Sequence, residues 1–346
     1  MTEGRCHDSH TPRAVKEIDF DTMPTGCRSR LALELVHDAL GNPIAVPVVV
    51  ARGLKKGPVF GVTAAVHGDE LNGIQVIHRL IERLDLKKLR GTVLAVIVVN
   101  VPGYLAQERT FPDGTDLNHI LPGKKDGSIA QVYGHRLVKR VLDHCDFLVD
   151  LHTASLGRTN SLYVRADMSN AVSARMAYLQ RPQIILNDPP SDHTLRGVAA
   201  LRGIPAITLE INNPRRFQSE PVKRALVGLR HVLAEVGMLA KRPVSPGEAA
   251  VLCESSEWIY TDHGGLLQVF PEVTDYVHEG EVIARLSNIF GDVVREYRAP
   301  FTGVVIGKSV NPVGQTGARI LHLGVVDEAH RHRFIEKEPS DARPVH

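Results

Sequence analysis

The sequence has no apolar stretch approaching the ~18 residues that a membrane-spanning helix requires. Its longest uninterrupted run, Val93 to Val99, has strand length and stops at Asn100. No sign of charge dominates: 41 Lys and Arg stand against 39 Asp and Glu, leaving +2. A nucleic-acid or membrane-surface binder needs a basic face, so this balance argues against both partner classes. The opening MTEGRCHDSH carries acids and histidines where a secretory leader carries an apolar core, and a cytoplasmic location is the expectation. Cysteine is scarce. Cys6, Cys27, Cys145 and Cys253 lie far apart with no Cys-x-x-Cys, a pattern of neither a disulfide framework nor a thiolate zinc site. There is no Gly-x-Gly-x-x-Gly and no Walker loop, so no nucleotide cofactor is expected.

What is present reads as a globular chain. Its 346 residues suggest two domains, and 43% hydrophobic with 23% charged residues is ordinary usage. From 31 to about 240 strand and helix patterns alternate. Leu31–Val36, Ile44–Val50, Val59–Val66, Val93–Val99, Phe147–Leu151, Asn160–Arg165 and Pro205–Ile211 read as strands. Helices are expected after Val66, with Ile74, Ile77, Ile81 and Leu84 on one face, and over Thr194–Leu201 and Ser219–Leu239. Ser128 is placed as the N-cap of a further helix, with Ile129, Tyr133, Leu137 and Val141 facing inward. Such alternation predicts a largely parallel sheet with helices on both faces.

Residues 1–30 read as an N-terminal extension and 241–250, KRPVSPGEAA, as a linker by composition. Residues 251–326 show short strands and Gly-marked turns, the texture of a small all-β domain, and 327–346 form a charged tail. Ala299 to Val305 looks like the strands of a barrel-sandwich carrier module. Lys308 lies in a Ser/Val context with no carrier-lysine motif, so the segment is expected to be a structural cap or a homo-oligomer contact.

Ligands of open α/β sheets bind beyond the carboxyl ends of strands. His67-Gly68-Asp69-Glu70 follows one buried strand, Asn100 to Gly103 with Arg109 follows another, His152 ends a third, and Glu210 lies near the end of a fourth. His67 and Glu70, three apart, can reach one ion, and His152 completes a His₂-carboxylate set with an open fourth position, a catalytic zinc arrangement. His-x-x-Glu alone is common and means little; the joint occurrence at separate strand ends carries the inference. Asp150 stands ready to orient a ligand imidazole or to cap its strand. Asp69 reads as a helix N-terminal acid.

The segments AAVHGDELNG, NVPGYLAQER, DLNHILPG, DLHTAS and ITLEIN occur in the order and spacing of one family. The chain resembles the succinylglutamate desuccinylase/aspartoacylase family, a branch of the zinc carboxypeptidase superfamily, from about Leu31 to Leu239. The resemblance implies a three-layer α/β/α sandwich around a mixed eight-stranded sheet. It further implies one zinc per chain and hydrolysis of the amide bond of a small N-acylated amino acid or amine. On it His67, Glu70 and His152 take the zinc-ligand positions. Glu210 takes that of the general base and acid acting on a zinc-bound water. Arg109 takes that of the arginine that polarises the scissile carbonyl, and Asn118 that of an asparagine holding the substrate carboxylate. His119 departs: the family usually has arginine there, so the fork that clamps a carboxylate is missing. Arg158, Arg165 and Arg196 are candidate replacements. A carboxypeptidase-like enzyme of short peptides and a non-catalytic zinc-binding protein are the alternatives. Ligand type alone does not separate zinc from Mn, Fe or Co.

Overall fold

The structure is a computed structural model that describes residues 11–190, 193–241 and 249–326. The charged tail and most of the expected linker lie outside the described residues. In chain order the first part comprises β1 (Arg13–Val15), β2 (Arg28–His37), β3 (Pro43–Arg52), β4 (Lys55–Ala64), α1 (Asn72–Arg83), β5 (Arg90–Val96), α2 (Val101–Ala106) and α3 (Ile129–Arg140). There follow β6 (Phe147–His152), β7 (Arg158–Asn160), β8 (Leu162–Ala166), α4 (Ala171–Leu179), β9 (Ile184–Asn187), α5 (Leu195–Leu201), β10 (Ala206–Ile211) and α6 (Ser219–Glu235). The C-terminal strands are β11 (Val251–Tyr260), β12 (Gly265–Val269), β13 (Tyr276–Val277), β14 (Val282–Ser287), β15 (Val293–Arg298), β16 (Gly303–Ser309), β17 (Val313–Gly314) and β18 (Arg319–Val326). No helix is long and apolar enough to cross a membrane among the described residues.

The local chemistry explains several boundaries. Ser128 caps α3 with a full capping box, its hydroxyl accepting from the Gln131 amide while the Gln131 side chain accepts from the Ser128 amide. Thr194 caps α5 in the same way, accepting from the Gly197 amide. Ile129, expected to face inward, is exposed instead, as the first residue of α3 directly after the cap. The Asn160–Arg165 strand is broken at Ser161 into β7 and β8, which pair with different partners. α4 and β9 were not anticipated. Cys27 is disulfide-bonded, which spacing alone did not signal; Cys145 and Cys253 are buried free thiols.

Fourteen strands form one mixed sheet in the order β1-β2-β3-β5-β4-β6-β10-β8-β9-β11-β18-β16-β13, with β7 also paired to β16. β5, β4, β6 and β10 are consecutive parallel neighbours. Side chains alternate across them. Phe60, Val62, Val149, Leu151, Ile207 and Leu209 pack with α1, α4 and α6, while Leu94, Val96, Leu148 and Ala206 pack with α3 and α5. In place of the implied eight strands, the part before residue 241 supplies ten, and the C-terminal β11, β18, β16 and β13 continue the sheet, β11 adding in parallel to β9. The seam is apolar: Tyr163, Ile184 and Leu186 pack with Cys253, Val304, Ile306 and Val326. A separate four-stranded sheet, β15-β14-β12-β17, packs Leu267, Ile283 and Leu286 against Val305 of β16 and Ile320 and Leu321 of β18. Lys308 is buried and ion-paired with Glu272 at 2.9 Å, which removes it from any carrier role.

Candidate metal and catalytic site

The site forms where β4, β6 and β10 end side by side. β4 stops at Ala64, and Ala65 turns the chain in the left-handed region (φ 53°) toward His67. Its register neighbour β6 ends on His152, which lies directly opposite Glu210 of β10. Asn72, fully buried at the start of α1, donates to the Ile211 carbonyl (2.9 Å) and accepts from the Gln218 amide (3.0 Å). This ties the turn carrying His67 and Glu70 to the strand end carrying Glu210.

Arg109 is held by the loop that the Asn100 motif builds. The Asn100 side chain caps α2 by accepting from the Gly103 amide (2.9 Å) and donates to the Arg109 carbonyl (3.3 Å). The Gly68 amide donates to that same carbonyl at 3.3 Å. The two backbones touch: a Cβ on Gly68 would lie 2.1 Å from the Gly103 carbonyl carbon. Only glycine at 68 allows the ligand turn and the arginine loop to close on each other.

His67, Glu70 and His152 are buried, and their candidate ligand atoms lie within 4.8 Å of one another; no other such cluster occurs among the described residues. Both imidazoles present the same face to the cluster. His67 Nδ1 lies 2.7 Å from Glu70 Oε1, and His152 Nδ1 lies 3.0 Å from Glu70 Oε2. Behind them, His67 Nε2 contacts Asp116 Oδ1 (3.2 Å) and His152 Nε2 contacts Asp150 Oδ2 (2.8 Å). Asp150 accepts a second bond from the Thr63 hydroxyl at 2.6 Å. A carboxylate behind each imidazole fixes its tautomer and raises the basicity of the other nitrogen, which is how metal-ligating histidines are supported. The donor set therefore suits a divalent metal, with Nδ1 of each histidine and the Glu70 carboxylate as its holders.

Charge in this cluster follows from the pairing. Burial alone would raise the Glu70 pKa, but the two imidazoles outweigh it and hold the carboxyl below the usual range. Burial alone would lower both histidines, yet Glu70 with Asp116 raises His67, and Asp150 with Glu70 raises His152. Arg109 donates to Glu70 (3.1 Å), to Ser155 (2.6 Å) and twice to Asp116 (3.1 and 2.9 Å). Glu210 accepts from Asn160 at 3.2 Å. Burial, reinforced by the negative charge of Glu70, lifts its carboxyl above the usual carboxylate range despite the nearby His152.

His67, Glu70, Arg109, His152 and Glu210 line a cavity of about 260 Å³ together with Asn118, His119, Arg158, Arg165, Arg196, Trp258 and Arg319. Residues 56–236 match the family model of the succinylglutamate desuccinylase/aspartoacylase catalytic domain. The chain belongs to that family. An N-alpha-acetyl-L-2,4-diaminobutyric acid deacetylase from Halomonas elongata is 27% identical over 300 residues, covering 81% of this chain and 86% of that one. The product-bound ectoine utilization protein EutE (DoeB) from Ruegeria pomeroyi superposes with a TM-score of 0.79 at 21% identity, covering 88% of this chain and 97% of its own. A succinylglutamate desuccinylase/aspartoacylase from Rhodobacter sphaeroides gives 0.79 at 22% identity, covering 90% and 98%. At these identities the structural likenesses establish the fold.

In this family member the structure brings together every site residue singled out from the sequence, but the second ring of contacts holds surprises. Asn118 Oδ1 is already committed, accepting from the Leu195 amide at the start of α5 (2.8 Å). His119 is exposed at the cavity edge. Arg165 and Arg196 are both paired with Asp188, at 3.2 and 3.0 Å. Asp69 does not cap α1; it is buried against Arg215 at 3.7 Å, and Leu71 holds the cap position without a side-chain bond. Asp116 was missed although it stands inside Asp116-Leu117-Asn118, where an acid two residues before the asparagine was the available signal. Trp258 and Arg319 had no signal, because they come from the C-terminal strands and reach the cavity only through the sheet seam.

Proposed function

We propose that this protein is a zinc-dependent amidohydrolase that removes the acyl group from a small N-acylated amino acid or amine, one metal ion per chain. The observation that carries the reading is the pair of imidazoles. Each has Nδ1 on Glu70 and Nε2 on an aspartate, beside Glu210 at the ends of adjacent parallel strands. The three-layer arrangement of helices about the sheet is part of the same reading. A zinc ion held by His67, Glu70 and His152 supplies Lewis acidity to the reacting groups.

The chain's own residues do the rest. Glu210, with its raised pKa, takes a proton from the attacking water and delivers it to the leaving nitrogen. Arg109, pinned by Asp116 and Ser155, donates to the carbonyl oxygen as negative charge develops there. The Asn118 amide nitrogen, Arg158 and the edge residue His119 contact the remainder of the substrate. A cavity of about 260 Å³ favours a small substrate over a peptide.

The test is hydrolysis by metal-assayed protein of a panel. It holds N-acetylaspartate, N-succinylglutamate, Nα-acetyl-L-2,4-diaminobutyric acid, neutral N-acetyl amino acids and dipeptides. Turnover that tracks zinc content on one or more N-acyl compounds is expected. Full activity in a metal-free preparation, or turnover of dipeptides alone, would overturn the reading.

A further inference from the structure

Five arginines line the cavity, and their partners divide them. Arg109 is neutralised by Glu70 and Asp116, and Arg165 and Arg196 share Asp188. Arg158 and Arg319 have no carboxylate partner among the described residues. Both instead lie over the ring of Trp258, with guanidinium carbons 5.3 and 4.9 Å from its centroid. Two like charges on one aromatic ring repel. Burial, then the charges of Arg319 and Arg109, push Arg158 down to about 10. A ring stack recovers part of such a cost but leaves the repulsion unanswered.

The platform beneath them is built. Trp258 and His322 are direct cross-strand partners on β11 and β18, and their rings stack 4.7 Å apart at 8°. His322 is buried, bonded through Nε2 to Ser256 at 2.8 Å, and meets the edge of Tyr163. Burial, with Arg165, Arg158 and Arg319 nearby, holds its imidazole neutral, well below its usual pKa. Arg319 sits at the start of β18, paired in register with Tyr260, two residues from Trp258. Arg158 begins β7, which is paired to β16 through Ser309. One arginine from each side of the seam is thus delivered to one rigid ring at the cavity wall.

We propose that Arg158 and Arg319 on Trp258 form an anion subsite that grips a carboxylate of the substrate, taking over the clamp that His119 cannot make. The inference rests on the amidohydrolase reading, and it assigns the residues that hold the substrate's carboxylate. That carboxylate belongs either to the amino-acid half or to a dicarboxylic acyl half; the two share the chemistry of a planar anion facing guanidinium forks.

Trp258 is the chain's one tryptophan, so its emission reports this subsite without any turnover. The full-length protein is titrated with N-acetylglycine, with succinate and with N-acetylglycinamide. Kinetics are run in parallel on N-acetyl amino acids, on N-succinyl amines and on their carboxamide counterparts. Saturable change in Trp258 emission with an anion but not with the carboxamide is expected. Arg319→Gln should weaken that binding ~10-fold or more and lower the carboxylate-to-carboxamide ratio of kcat/KM by ~10–100-fold. Arg319→Lys should recover part of it. Arg158→Gln should act in the same direction. The half of the substrate whose carboxylate shows the drop identifies which source the subsite reads. If the anions bind and turn over equally in wild type and Arg319→Gln, the subsite is wrong while the hydrolase reading stands. If no N-acyl compound is hydrolysed yet anions still move the Trp258 signal in an Arg319-dependent way, the hydrolase reading fails and the subsite survives.

Discussion

Asp116 serves two masters, and removing its charge should separate their contributions. Its Oδ1 accepts from His67 Nε2 and the Asn118 amide, and its Oδ2 accepts from both Nε and Nη2 of Arg109. Asparagine keeps one oxygen. If that oxygen stays on the His67 side, the new NH₂ faces the guanidinium donor to donor, and Arg109 loses both bonds to Asp116. Charge-assisted bonds are worth ~1.5–3 kcal/mol each, and one misplaced oxyanion donor costs ~10²–10³ in kcat. Asp150→Asn disturbs only the other imidazole, since Asp150 touches His152 and Thr63 and no arginine. Both variants should bind zinc ~10–100-fold more weakly in chelator competition. Kinetics at saturating zinc then divide them: Asp150→Asn recovers most of its kcat, whereas Asp116→Asn stays ~10²–10³-fold down. Equal recovery of the two would refute the assignment of Arg109 to the carbonyl.

Other outcomes follow from the same geometry. His152→Ala should lose metal and activity together, as read by metal analysis and turnover on one sample. Glu210→Gln should retain zinc while kcat falls by ~10²–10⁴. The linked stability has a definite sign: a raised folded-state pKa stabilises the protonated form, and that stabilisation is lost as pH rises through it. In metal-stripped protein, Glu210→Gln should therefore have a higher Tm than wild type at pH 8 and a matching one at pH 4. Gly68→Ala drives a methyl into the Gly103 backbone and should cost ~1–3 kcal/mol in denaturant melts, together with metal affinity. A chain ended at 241 bares β9 and the apolar seam. It should aggregate on gel filtration, and a soluble, fully active truncation would show the seam to be dispensable.

The candidate site was legible because its residues are punctuation. His67, His152 and Glu210 each stand where a buried apolar run stops, and polar residues at such places are hard to explain as packing. Ser128 and Thr194 gave two helix starts for the same reason: a hydroxyl before an amphipathic run has a local job. The cavity wall was illegible for the opposite reason. Trp258, His322 and Arg319 sit in strands of unremarkable alternation, and their meeting with Arg158 depends on which strand of a late sheet pairs with β7. Pairing across 150 residues leaves no mark in local sequence. α4 fell from view because its apolar pattern is weak, with Val172 and Tyr178 exposed. Ile129 misled because a capping serine predicts the start of a helix but not the depth of its first turn.

The strand β7 has only three residues, yet Arg158 and Asn160 both belong to it, and Asn160 donates to Glu210. Short pairings open at lower free energy than the strands beside them. Hydrogen exchange should therefore find the amides that pair β7 with β16 trading with solvent well before those of β6 or β10. Each such opening takes away the hydrogen-bond donor to the base and one cation of the cavity wall, and leaves His67, Glu70 and His152 in position. On heating, this protein should lose its grip on substrate while still holding its metal.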